Sequence, residues 1–146
     1  MTTPAVVFPI GEDRYAVAAS TVREVVSDPR CTRLPTAPEA ILGAFNLRGE
    51  VVPMFDTAAL LGIGRVTGTP VAVVVNTAVG PAGLVVSGPP KVVVLDHEIG
   101  PSELRGTLGV YSVDGEIAVM IDVETLLAPH HTGLGGSAMA EVLISS

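Results

Sequence analysis

Two aspartates stand 66 positions apart in matching settings, Asp56 in PMFDTAALLG and Asp122 in AVMIDVETLLA. Carboxylates brought together from two halves of a doubled chain can share a proton and activate water, the chemistry of aspartic proteases. That chemistry needs a hydroxyl and a small residue to buttress each carboxylate. The first copy has Thr57 and Ala58, but the second has Val123 and Glu124. Each aspartate also opens a short run of helix-forming residues, so each reads as a helix N-cap, and Phe55 and Leu60 sit at the two positions of a hydrophobic staple. The cap reading accounts for both copies and the protease reading for one.

No other residue set points to catalysis. Ser87 lies in VVSGPP without the preceding glycine of a nucleophile elbow. His97 beside Glu98, and His130 beside His131, fall short of the three or four convergent ligands of a metal site. The glycines at 62, 64, 133, 135 and 136 lack the lysine and hydroxyl of a phosphate loop and read as linkers. No catalytic residue, metal or cofactor is assigned, and the chain is expected not to be an enzyme. The unusual polar residues are Glu24 and Arg48, each set among apolar neighbours, Val22–Val26 and Phe45–Val52. A charge so placed needs a partner, and a structural ion pair between strands is the simplest use of the two.

The elements that must position these residues are mostly strands. Ala5–Ile10 and Tyr15–Ala19 read as a hairpin around Gly11–Arg14, and Val22–Val26 as a third strand. Ser27–Pro38, with three prolines, reads as a loop. Ile41–Leu47 and Val51–Phe55 form a second hairpin around Arg48-Gly49, followed by a helix over Thr57–Leu61. The same grammar recurs. Gly43, Gly49, Glu50, Met54, Asp56, Leu60 and Leu61 return as Gly109, Gly115, Glu116, Met120, Asp122, Leu126 and Leu127, and Ser20 returns as Ser87 at an offset of 67. In the second half Val71–Val75 and Leu84–Val86 read as a hairpin, Val92–Leu95 as the third strand, Asp96–Arg105 as a loop and Asp114-Gly115 as a type I′ turn. Five short strands and one short helix per half predict two small antiparallel barrels sharing an interface. The division falls in the Gly-rich 62–70 stretch, with subdomains of about 1–64 and 65–128 and a tail over 129–146.

A chain of 146 residues with 48% apolar residues and mean hydropathy +0.56 is enough for a core. A net charge of −7 with 8 Lys and Arg argues against nucleic acid or an anionic membrane as partner, because both demand clustered cations. Aromatic residues at 3% also remove base-stacking platforms. No apolar run approaches the ~18 residues that a spanning helix needs, no signal sequence is evident, and one cysteine, Cys31, suits a reducing compartment, so a cytoplasmic location is expected.

Asn46-Leu47-Arg48-Gly49, with Gly43 before it and Pro53, Asp56 and Leu60-Leu61 after it, resembles the signature of the CheW-like chemotaxis coupling family. Phe8, Gly11, Tyr15, Val22–Val25 and Pro38 in the first half, and Val71–Asn76, Gly83–Val86 and Gly88 in the second, extend the likeness over nearly the whole chain. The resemblance implies an all-β fold of two five-stranded SH3-like barrels with short helices, forming a single CheW-like domain over 1–146. It also implies a non-catalytic adaptor that couples methyl-accepting chemoreceptors, through the cytoplasmic tip, to a CheA-type histidine kinase. The receptor-binding positions it carries over are Val22, Glu24, Val25, Gly43, Arg48, Gly49, Val71 and Gly83. Departures sit in the second half. Ser87 stands where many members carry an acidic residue, Pro89-Pro90 follow where a strand usually starts, and the loop at 96–106 is short. These departures leave the kinase-facing or receptor-facing surface of the second half open and allow a divergent paralogue serving a non-motility pathway.

Overall fold

The computed structural model describes residues 3–32, 39–95 and 97–130. Of the tail expected over 129–146, all beyond His130 lies outside the described residues, as do Pro35 and Pro38 of the proline-rich loop. The described residues form strands β1 (Thr3–Ile10), β2 (Asp13–Ala18), β3 (Val22–Ser27), β4 (Ile41–Leu47), β5 (Glu50–Asp56), β6 (Val71–Thr77), β7 (Gly80–Val86), β8 (Lys91–Leu95), β9 (Glu98–Gly100), β10 (Thr107–Val113) and β11 (Glu116–Ile121). Two five-residue helices, α1 (Thr57–Leu61) and α2 (Val123–Leu127), follow β5 and β11. The stretch Asp96–Arg105, expected as loop, contributes the short strand β9, which pairs with β10 at Gly100↔Val110 and Glu98↔Tyr111.

The strands assemble as a six-stranded sheet ordered β8-β1-β2-β11-β10-β9 and a five-stranded sheet ordered β3-β6-β7-β5-β4. Leaving out β9, the two orders become identical when β3, β6, β7, β5 and β4 are matched to β8, β1, β2, β11 and β10. The repeat is therefore real in three dimensions, down to its irregularities. A register shift between Ile41 and Gly43 recurs between Thr107 and Gly109, and Arg48 and Asp114 both adopt positive φ, 52° and 48°. The isolated bridge Thr32↔Ala44 is the first-half counterpart of β9.

The barrels do not follow the sequence halves. Hairpin β1–β2 belongs to the sheet built from β8–β11, and hairpin β6–β7 to the sheet built from β3–β5. Parallel pairings seal the exchange, β2 with β11 at Val119↔Tyr15 and β7 with β5 at Met54↔Gly83. The chain crosses between sheets twice. The first crossing is the 3-10 turn Ala19–Thr21, and the second is the Ser87–Pro90 segment, where two prolines end β7 and delay β8 to Lys91. At that second crossing the Ser87 N–H donates to Pro9 O at 3.0 Å, and the Gly11 N–H donates to Ser87 Oγ at 3.1 Å.

Strand alternation divides the apolar side chains among three cores. Val6, Phe8 and Ile10 of β1, with Val71, Val73 and Val75 of β6, face the large core shared by the two sheets, which α1 and α2 cover with Leu61, Leu126 and Leu127. Ala5 and Val7 turn into the six-stranded barrel beside Met120, and Ala72 and Val74 turn into the five-stranded one beside Met54. Each barrel is thus filled mainly by alanine and valine around one methionine, with Leu95 and Tyr111 added in the six-stranded barrel and Leu42, Phe45 and Leu47 in the five-stranded one. Most of the hydrophobic stabilisation lies between the barrels.

Candidate functional site

Arg48-Gly49 forms the tip of the β4–β5 hairpin. Both residues are left-handed, φ 52° and 89°, as a type I′ turn requires, and Asn46 Oδ1 accepts the Gly49 N–H at 2.7 Å. From this tip Arg48 Nη1 donates to Glu24 Oε1 at 2.7 Å, with Nη2 at 3.5 Å from Oε2. A second pair runs the other way, since Arg23 Nη1 donates to Glu50 Oε1 at 2.8 Å and Arg23 Nε to Asn76 Oδ1 at 2.9 Å. Consecutive residues of β3 are thus clamped to both sides of one turn. Because β3 and β4 are the two edges of the five-stranded sheet, the clamp closes the barrel.

Glu24 owes its position to a bulge. The register of β3 on β6 shifts between Val22 and Glu24, so Val22 packs on the shared core while Val26 packs inside the barrel. Glu24 takes the Val26 side of the strand. Its side chain is 25% exposed against 77% for Arg48, so the guanidinium presents most of its surface outward. Screening makes such a pair worth at most about 1 kcal/mol of stability. At the equivalent positions of the second repeat stand Lys91 and Asp114, with the charges reversed.

The eight positions implied by the resemblance separate into two groups. Glu24, Arg48, Gly49, Val22 and Val25 retain accessible surface, though Val25, 43% exposed, points to the opposite face of β3 from Glu24. Val71, Gly43 and Gly83 are buried. Glu24, Val74, Gly83, Met54 and Gly43 make one transverse row across the sheet. In this row Gly83 leaves room for the Met54 sulfur, and Gly43, at φ 151°, leaves room for the Thr32 carbonyl. The two glycines support the packing beneath the clamp. Sequence reasoning missed Arg23, Glu50 and Asn76. Glu50 repeats as Glu116 and Arg23 adjoins Glu24, but nothing local indicated that the two ion pairs would cross.

A cavity of about 160 Å³ with a mixed lining lies between the tip of β6–β7, strand β5 and the end of α2, reached from the clamp through Val51 and Thr77, the residues that follow Glu50 and Asn76. Phe55 and His130 form one wall with ring centroids 5.6 Å apart, and Val79, 66% exposed, stands at the rim. Both aspartates are engaged at helix starts, away from that cavity's lining. Asp56 is 3% exposed, and its carboxylate accepts N–H bonds from Ala59 at 3.0 Å and Val66 at 3.2 Å. Asp122 accepts from the Thr125 N–H at 3.4 Å and the Thr125 hydroxyl at 2.8 Å. Both are N-caps, as their spacing predicts. Among the described residues no group of three His, Cys, Asp or Glu side chains is placed to hold a metal ion, and no helix is long and apolar enough to cross a membrane.

Comparison with known proteins agrees with this architecture. The solved structure of the scaffolding protein TtCheW from Thermoanaerobacter tengcongensis superposes with a TM-score of 0.80 at 27% identity, over 91% of this chain and 97% of that one. A chemotaxis protein CheW of Klebsiella aerogenes is 30% identical over 139 residues, 88% of this chain and 83% of the relative. A probable chemotaxis protein CheW of Rhizobium etli is 29% identical over 133 residues, 84% and 86%. A family model described as a CheW-like domain matches residues 4–130, which takes in both barrels, the clamp and both helix caps. The chain belongs to the CheW-like domain family.

Proposed function

We propose that the protein is a non-catalytic, cytoplasmic adaptor that couples chemoreceptors to a CheA-type histidine kinase in chemosensory signalling. The observation that carries this reading is the Glu24–Arg48 pair, which ties β3 to the tip of the β4–β5 hairpin with the guanidinium facing outward and Val25 exposed nearby on β3, in a chain whose relatives are chemotaxis and scaffolding proteins. Arginine suits the task. Its planar fork holds Glu24 through two nitrogens and keeps further donors for a partner helix, while the neighbouring apolar surface takes that helix's nonpolar face.

The kinase uses other surface in this reading, the barrel ends, so the two partners are separable by mutation. Glu24→Ala and Arg48→Ala are expected to weaken binding of a receptor-tip helical hairpin by about 1–3 kcal/mol, because contact desolvates whichever charge is left. Arg48→Lys should lose most of the same amount. Binding of the kinase's matching domain should change by less than about 0.5 kcal/mol, the scale of a surface substitution away from the contact. Isothermal titration of each variant against both fragments tests this. Equal losses for the two partners, or none for either, would refute it.

A further inference from the structure

The pseudo-twofold that matches the sheets also matches two surface grooves. The cavity of about 160 Å³ is walled by Val51 and Pro53 of β5 and by Val79–Ala82 at the β6–β7 tip. Applying the repeat offsets gives Ile117 and Val119 of β11 and Glu12–Tyr15 at the β1–β2 tip, and these residues wall a second, more open groove of about 700 Å³. The geometry is the same and the chemistry differs. Val79, Gly80 and Pro81 of the first groove become Glu12, Asp13 and Arg14 in the second.

The second groove keeps an apolar floor of Tyr15, Leu104 and Val119, with Ile117 59% exposed. Its rim carries three carboxylates, Glu12, Asp13 and Glu116, against one cation, Arg14, which is paired with Glu116 at 2.6 Å. Two negative charges remain in excess. One of the carboxylates, Asp13, bears on the floor, since after burial, the larger cause, it helps push the Tyr15 phenol above its ordinary value. The backbone here offers no edge, because β2 lies between β1 and β11, and β11 between β2 and β10. An occupant therefore cannot add as a strand and must dock through side chains, as a helix does in a groove.

We propose that this second groove docks an amphipathic helix of a partner protein, one whose apolar stripe is flanked by lysine or arginine. The proposal is independent of the receptor reading of Glu24 and Arg48.

The test uses the full chain and a labelled amphipathic leucine–lysine peptide as probe, read by fluorescence anisotropy at physiological ionic strength. Glu12→Lys with Asp13→Lys is expected to weaken binding at least about tenfold, and the milder Glu12→Gln with Asp13→Asn several-fold. Ile117→Ser should also weaken it several-fold. A control pair of equal charge change at exposed positions outside the groove, Glu39→Lys with Glu98→Lys, should cost less than about twofold, the scale of a screened long-range field. Circular dichroism confirms that each variant is folded. Equal loss in the control pair, a larger loss from Val79→Lys in the other groove, or equal binding of a leucine–glutamate twin would each overturn the proposal.

Discussion

At the scale of single residues, the duplicated fold carries internal controls. Thr57 is fully buried at the first position of α1, and its hydroxyl has no hydrogen-bond partner among the described residues. The equivalent position of α2 holds Val123. Thr57→Val should therefore raise stability by about 1 kcal/mol, the cost of an unsatisfied buried group, and a denaturant melt would show the midpoint move up. The two capping aspartates differ in the same informative way. Asp122 caps only its own helix, whereas Asp56 also holds the Val66 N–H of the inter-repeat segment. Asp122→Ala should cost about 1 kcal/mol, and Asp56→Ala about 2–3 kcal/mol, because it adds an unmet amide to a lost cap. Tyr15 supplies a pH signature. Burial first, and then the charge of Asp13, raise its phenol above the ordinary value of 10.0, so the fold holds the protonated form more tightly than the unfolded chain does. Its contribution is fully present below about pH 10 and is lost as pH rises through the higher folded value. Tyr15→Phe should flatten the alkaline limb of the stability profile and leave neutral pH behaviour alone.

At the scale of elements, the hairpins and helices were legible because their signals are local. Gly after Arg48 and Asp114 marks type I′ turns, and aspartate before a short apolar run marks each helix start. What escaped was pairing between distant segments. Nothing in Glu98–Gly100 reads as a strand by itself, and β9 exists because β10 offers it an edge. The glycines facing these outer segments record the contact in retrospect. A Cβ at Gly43 would strike the Thr32 carbonyl, a backbone atom that cannot swing away, and Gly43 also sits at positive φ. A Cβ at Gly109 would mainly strike the carboxylate of Glu98, the movable end of a side chain. Gly43→Ala is expected to cost well over 1 kcal/mol and Gly109→Ala less than half as much. A paired thermal melt would compare them, and equal costs would mean that the bridge at Thr32 yields as readily as β9.

At the scale of the molecule, the sequence halves and the barrels part company. The offsets of 66 and 67 are visible in the sequence, but they are equally compatible with two separate barrels and with two that exchange hairpins, because both arrangements repeat the same residues. The partners of β3 and β8, together with the parallel pairings of β2 with β11 and of β7 with β5, distinguish them. β3 pairs with β6 of the second half, and β8 pairs with β1 of the first. A fragment 1–68, cut in the exposed segment before β6, would hold β3 with no sheet partner, and it would hold hairpins β1–β2 and β4–β5 linked only through the shared core. An isolated hairpin is marginal in water, and a chain of this length buries too little surface to compensate. Fragments 1–68 and 69–146 should therefore each lack cooperative unfolding. Mixed in equal amounts they should recover it together, with a midpoint that rises with concentration because assembly is now bimolecular. If 1–68 alone unfolded cooperatively, the exchange of hairpins would not be what holds the barrels closed, and the clamp from Arg23 and Glu24 to the β4–β5 turn would have to close its barrel without β6 between its edges.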